Sequence, residues 1–214
     1  MKKIDFKKEQ KELYSPTTEP SLIKVPSMKF IMVQGKGNPN DSEGEYPHAI
    51  QLLYALSYNL KMAQKNSPST EYDYVVSPLE GLWWLEDPTE LDFTNRNKYH
   101  WISMIRQPDF ITPEMFEAAK TAVAKKTPEL IVDKARLEYF EEGLCVQCMH
   151  LGPYATEPET IKKMDAFAKQ NNLKYDIGTT LPDGHTRRHH ELYLSNTKKV
   201  KAEAMKTILR HPVC

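Results

Sequence analysis

The stretch Leu144-Cys145-Val146-Gln147-Cys148-Met149-His150-Leu151-Gly152-Pro153-Tyr154 sets the grammar of this chain. Its first part is a β-prone apolar run, and Gly152-Pro153 breaks it. Beyond the break, Glu157 to Asn171 carries Ile161, Met164, Phe167 and Ala168 at helical spacing. Arg188 to Ser195 and Ile208 to Val213 are β-prone again. The order is strand, Gly/Pro turn, helix, then paired strands.

The first half has the same order. Met28 to Val33 is β-prone, and Gly35-Lys36-Gly37-Asn38-Pro39 breaks it. Ala49, Leu52, Leu53, Leu56 and Leu60 then recur at helical spacing within Glu43 to Lys65. Tyr72 to Pro78, Gly81 to Leu85 and Tyr99 to Ile105 are the strand candidates that follow. The two halves match in pattern rather than in letters. Between them, Thr112-Pro113-Glu114 opens a helix to about Lys126: Thr can cap, Pro fits the first turn and Glu opposes the dipole. The first 26 residues, punctuated by Pro16, Pro20 and Pro26, read as an arm, either an extended strap or a partly ordered tail. The expected organisation is therefore an arm over residues 1–26 and a domain over 27–214. That domain holds two pseudo-repeats, about 27–108 and 135–214, linked by a helix at about 112–126. The expected class is α+β, with a largely antiparallel sheet and helices on one face.

Composition narrows the function. The 214 residues carry 29 Lys+Arg against 29 Asp+Glu, without the basic excess a general nucleic-acid binder needs. With 40% apolar residues, 11 Tyr, 7 Phe and 3 Trp, the chain can build a core. No apolar run approaches the ~20 residues of a spanning helix. Residues Met1 to Leu13 are charged throughout and do not read as a signal peptide. Three cysteines cannot all pair internally, so a reducing cytoplasm is expected.

Several residues can carry chemistry. In Glu80-Gly81-Leu82-Trp83-Trp84, strand alternation puts Trp83 and Trp84 on opposite faces, so one is expected in the core and one against a planar ligand. Glu80 reads either as facing that cavity or as a solvated carboxylate. In Glu191-Leu192-Tyr193-Leu194, Glu191 and Tyr193 share the face opposite the leucines. A carboxylate there can hold a cation or activate water, and a phenol can donate to an oxygen. Tyr154 follows the Gly-Pro turn at a strand-to-helix corner, where it either rims a cleft or simply packs. Tyr54 and Tyr58, four apart on the first helix, share one side of it and either line a ligand or pack on the sheet. Cys145 and Cys148, with His185, His189 and His190, do not make a metal site, because cysteines three apart in a strand face opposite ways. No phosphate-cradle, dinucleotide or nucleophile-elbow motif occurs.

Taken together, several stretches resemble the stand-alone GyrI-like small-molecule-binding domains. They are Lys29 to Gly37, Pro78 to Trp84, Met104 to Pro108, His150 to Tyr154, His190 to Ser195 and Ile208 to Val213. The Gly152-Pro153-Tyr154 turn and the Glu191-x-Tyr193-x-Ser195 strand are the most specific. The resemblance implies a tandem β-α-β-β pseudo-repeat of the SHS2 type with a central ligand cleft. It also implies an acidic cleft residue, here Glu191, aromatic walls at Trp83 or Trp84, and rim residues Tyr154 and Tyr193. Asn196-Thr197-Lys198 departs from the family, where Asp-Pro-Arg is usual after the strand.

Some family members look like hydrolases of cyclopropanoid DNA-alkylating compounds of the yatakemycin and duocarmycin type, and others sense or bind lipophilic cations. Two readings follow. In the first, the protein is a detoxifying hydrolase needing no cofactor, with Glu191 or Glu80 as base and Tyr154 or Tyr193 as donor. In the second, it is a binding module for lipophilic, cationic drugs. The absence of an output domain favours the first reading. The expected partner is a hydrophobic aromatic small molecule, with no direct nucleic acid and no membrane, on a monomer or homodimer.

Overall fold

The computed structural model describes residues 2–66, 72–86, 95–197 and 199–214. In chain order these form β1 (Lys2–Ile4), α1 (Phe6–Glu9), α2 (Lys11–Tyr14), β2 (Ser21–Lys36), α3 (Glu45–Asn66), β3 (Tyr72–Tyr74) and β4 (Leu79–Leu85). Then come β5 (Tyr99–Gln107), α4 (Pro113–Lys126), β6 (Ala135–Leu151), α5 (Glu157–Gln170), β7 (His189–Tyr193) and β8 (Lys206–Pro212). The fold is mixed α+β. Its long strands are hydrogen-bonded in the closed order β2-β5-β4-β7-β8-β6, and β1 pairs with β3. Lys198, part of the departure noted above, lies outside the described residues.

The chain divides into two compact units. Unit 1 takes residues 1–9, 28–79 and 84–140, and unit 2 takes 10–27, 80–83 and 141–214. Thus β2, β4 and β6 each contribute residues to both units.

In unit 1, β2 and β5 pair antiparallel from Lys29↔Gln107 to Lys36↔His100. Helix α3 buries Ala49, Leu52, Leu53, Leu56 and Leu60, the spacing that predicts it. That face packs on β5 and α4. Helix α4 starts as its sequence dictates: the Thr112 side chain accepts the Met115 amide at 3.3 Å. Residues 75–78, also β-prone, leave the strand conformation after Tyr74.

In unit 2, β8 is a shared central strand. It pairs antiparallel with β6 from Cys145↔Pro212 to Leu151↔Lys206, and with β7 from His190↔Arg210 to Tyr193↔Thr207. Helix α5 lays Met164 and Ala168 on Val146, Cys148, Leu209 and Val213, with Ile161, Phe167 and Leu173 at the edge. The residues expected at helical spacing in 157–171 are the ones that pack.

No described helix is long and apolar enough to cross a membrane. Cys145 and Cys148 are buried, Cys214 is exposed, and all three are free thiols. Burial pushes the Cys145 and Cys148 thiols up, which makes them poor nucleophiles.

Candidate functional site

Strand alternation on β7 separates two kinds of chemistry. His190 and Leu192 are buried on one face, while His189, Glu191 and Tyr193 are half-buried on the other. The half-buried face gathers most of the candidate residues of unit 2.

Trp83 Nε1 donates to Tyr193 Oη at 2.8 Å. The indole lies over Gly81, where a Cβ would sit only 2.7 Å from Nε1 and 3.1 Å from Tyr193 Oη. A glycine is what lets this aromatic pair form. The Tyr154 ring meets Tyr193 edge-on at 5.9 Å, a favourable geometry for two aromatic rings.

The turn that presents Tyr154 is built from its own residues. Gly152 sits at φ 127°, in the left-handed range that suits glycine. Beneath it, the His150 Nε2–H donates to the Pro153 carbonyl at 3.1 Å, and His150 Nδ1 accepts from Thr160 Oγ1 at 2.8 Å. That pairing ties the strand end to the first turns of α5. Tyr154 is held neutral: burial, then the Glu191 and Glu157 charges, push its phenol up to about 12.

Glu157, the first residue of α5, joins this group. It is buried, and its Oε1 has no hydrogen-bond partner among the described residues. Burial, and then the Glu191 charge, push its carboxyl well above the ordinary carboxylate range. The charges of Glu191 and Glu157 both bear on the Tyr154 phenol, and Glu157 is the carboxyl prone to keep its proton.

Behind Glu191 stand two histidines. His189 Nε2 lies 2.9 Å from Glu191 Oε1, and His189 Nδ1 lies 2.7 Å from His211 Nε2. The rings of His189 and His211 meet at 72°, and Tyr175 closes edge-on over His211 at 5.1 Å. Burial, then His189, pull the His211 imidazole down to about 3, with Glu142 opposing.

The other face of β7 is a buried charge cluster. His190 Nδ1 pairs with Glu142 Oε2 at 2.9 Å, and its Nε2 lies 3.1 Å from Glu80 Oε2. That second contact is an ion pair without hydrogen-bond alignment. Arg210 reaches Glu142 at 3.6 Å and is held by Gln147 Oε1 at 3.3 Å and the Leu13 carbonyl at 2.5 Å. Burial alone would lower His190, but the carboxylates override it and hold the imidazole charged. Burial alone would raise Glu142, but His190 and Arg210 hold it ionised.

The sequence candidates are thus placed in three settings. Glu191, Tyr193, Trp83 and Tyr154 come together in unit 2. Glu80 belongs to the buried cluster, fully enclosed, on the face away from Trp83. Trp84, Tyr54 and Tyr58 lie in unit 1: Trp84 stacks on His100 at 5.7 Å, and the two tyrosines stack on each other at 6.2 Å. Both Trp83 and Trp84 are half-buried, whereas one was expected in the core; Trp101 fills that role. A shallow groove of about 470 Å³ between residues 14–18 and Met149, Leu151 and Leu194 holds none of these side chains. Among the described residues, no group of three or more metal-ligating side chains converges.

Sequence reading missed Glu157, His189 and His211. His189 carried a usable signal, since alternation puts it on the face of Glu191. Glu157 carries no such signal, because acids in a helix's first turn are common. His211 needs the β7–β8 register, which no local pattern supplies.

An α+β domain that presents paired carboxylates among aromatic rings is suited to a small organic molecule. The chain belongs to the GyrI-like family: the model of the GyrI-like small molecule binding domain matches residues 18–213. It is similar to an uncharacterized conserved protein from Listeria innocua, at 44% identity, with 99% of this chain and 100% of that one covered and a TM-score of 0.90. It is also similar to a hydrolase from Listeria innocua, at 42% identity, over 99% and 100% of the two chains, with a TM-score of 0.85. The C-terminal domain of EcmrR, at 12% identity over 92% and 97% of the chains with a TM-score of 0.51, shares the fold alone. No curated protein matches the chain.

Proposed function

We propose that this protein is a hydrolase that adds water to strained, planar small molecules, in particular cyclopropanoid DNA-alkylating compounds, and so protects the cell from them. The observation that carries this reading is the half-buried face of β7, which presents Glu191 beside Tyr193, with Tyr193 held against the Trp83 indole and the Tyr154 ring. The hydrolase from Listeria innocua supports it by likeness. The strand–turn–helix order of both halves is compatible with the tandem β-α-β-β repeat that the family resemblance implies. Trp84, Tyr54 and Tyr58 have no part in the chemistry below.

The ligand's planar ring lies against Trp83 and Tyr193. Glu191 takes a proton from water as the water oxygen forms a bond to the cyclopropane methylene. The ring carbon–carbon bond breaks, and its electron pair flows into the dienone, whose oxygen becomes a phenolate. Tyr154 or Glu157 gives that oxygen a proton. The sum is one water added, with no redox step. A base placed in this way contributes roughly 10²–10⁴-fold, and holding water and ring in line contributes further.

The test is to incubate the purified protein with a cyclopropyl-dienone compound and follow it by mass spectrometry. The expected product is heavier by one water. Glu191→Gln should slow its formation by about 10²-fold or more. A compound recovered unchanged, yet co-purifying with the protein, would sink the hydrolase reading. It would favour a binding module in which Glu191 among aromatic rings holds a lipophilic cation.

A further inference from the structure

We propose that His189 and His211 form a positioning relay that selects Glu191, rather than Glu157, as the ionised carboxylate of the site. This rests on the hydrolase reading above, because it assigns the base within that site.

The proton positions follow from what each group can accept. An ionised carboxylate only accepts, so the His189 Nε2 facing Glu191 Oε1 at 2.9 Å must carry hydrogen. A neutral His189 then has a bare Nδ1. That atom must accept, so His211 Nε2, 2.7 Å away, donates to it. His211 in turn has a bare Nδ1, which is buried and has no hydrogen-bond partner among the described residues. The opposite arrangement, with the hydrogen on His189 Nδ1, would make His211 Nε2 an acceptor and place its hydrogen on Nδ1. That would leave a buried N–H with nothing to receive it, the costlier defect. It would also point a bare Nε2 at the carboxylate.

The surroundings favour the same state. The Tyr175 edge covers His211 and keeps water from it. Burial and the neighbouring His189 hold His211 neutral, against the Glu142 charge from β6. The groups facing or coupled to Glu191 are His189 on its own strand and Glu157 and Tyr154 at the start of α5. Among the described residues, only His189 hydrogen-bonds to Glu191. Glu157 Oε1 has no such donor among the described residues, so when one proton is shared between the two carboxylates, Glu157 is the better place for it.

The relay is therefore a selector. Two carboxylates of the same residue type receive different roles because one has an imidazole N–H and the other has none. His189 and His211 do not touch substrate. They act through Glu191.

Two measurements test this, one without substrate. In ¹⁵N spectra of histidine-labelled, full-length protein near neutral pH, His189 and His211 should each show the Nε2–H tautomer. Assignment uses His189→Gln and His211→Gln. The second measurement is the pH profile with a cyclopropyl-dienone compound. His189→Phe should lower kcat by about tenfold or more with little change in KM, and alter the pH profile. His189→Gln, whose amide can donate from a similar position, should restore most of the rate. His211→Phe should act in the same direction but less, since it only frees the His189 tautomer.

A hydrogen on His189 Nδ1 would overturn the relay, as would a His189→Phe enzyme with the parent profile and an intact fold by circular dichroism. If the tautomers stand but the parent protein turns nothing over, it is the hydrolase reading that fails. The relay would then remain as the device that fixes the charge of a binding site.

Discussion

In each unit of this molecule a tryptophan ring lies across a glycine, and the two pairs serve different ends. In unit 1, Gly35 stands directly across from Trp101 in the β2–β5 register, and a Cβ at Gly35 would sit 2.3 Å from the ring. Trp101 is fully buried, with Tyr46 edge-on at 5.1 Å, and its Nε1 has no hydrogen-bond partner among the described residues. In unit 2, Trp83 lies over Gly81, is half-buried, and gives its Nε1–H to Tyr193. The same hollow holds a core indole in one unit and a wall beside the candidate site in the other. The placement of the polar edge separates them: hidden in one, bonded to a phenol in the other.

The largest effect should come from breaking the buried cluster that anchors unit 2. Removing Glu142 takes from the fully enclosed Arg210 and His190 the carboxylate they share. Glu142→Ala should cost about 3–5 kcal/mol in urea unfolding. The cluster also sets a pH window. His190 is raised from 6.5 to about 9 in the folded protein, so its contribution is complete below about 6.5 and fades as pH climbs through about 9. Glu142 is lowered from 4.5 to about 2, so its contribution is present above about 4.5 and fades as pH falls towards about 2. Parent stability should fall at both ends. Glu142→Gln should be less stable at pH 7 and flatter at both ends. An unchanged alkaline limb in Glu142→Gln would show that the cluster does not set that window.

What could be read from the sequence follows the range of the interactions involved. Strand and helix spacing placed α3, α5, β5 and β8 to within about two residues at each end, because each pattern lies within one element. Alternation likewise put Glu191 and Tyr193 opposite Leu192. The Gly152-Pro153 turn announced itself because a positive φ and a proline leave few other conformations. Glu80 is the contrary case. Its position beside a strand start suggested either an open cavity or solvent, but its setting depends on which strand lies next to β4. The hydrogen-bonded neighbour is β7, which brings His190 within 3.1 Å. Glu157 was illegible for another reason. Acids at helix starts are common, and only burial beside Glu191 marks this one out.

The two glycines give a matched experiment. Gly35→Ala forces a methyl into a fully buried ring with no room to yield, and should cost about 1–3 kcal/mol of stability. Gly81→Ala meets a half-buried indole that can tilt, so less stability should be lost in the same melt. The tilt breaks the Trp83–Tyr193 bond, however, and affinity for a cyclopropyl-dienone compound should fall by about tenfold, equivalent to about 1.4 kcal/mol. Equal losses of stability with unchanged affinity would mean that Trp83 is a packing residue like Trp101.

The smallest effect separates ring from hydrogen bond within unit 2. Trp83→Phe keeps an aromatic face but removes the N–H that Tyr193 accepts at 2.8 Å. A bond of this kind is worth about 0.5–1.5 kcal/mol net, so ligand affinity measured by calorimetry should weaken only a few-fold. Trp83→Ala removes the face as well and should weaken it much further. If Phe and Ala were equally harmful, the indole N–H would matter more than the ring, and the role of Trp83 would be to orient Tyr193. If Phe were harmless, the wall alone would suffice, and Tyr193 would be held by its edge contact with Tyr154.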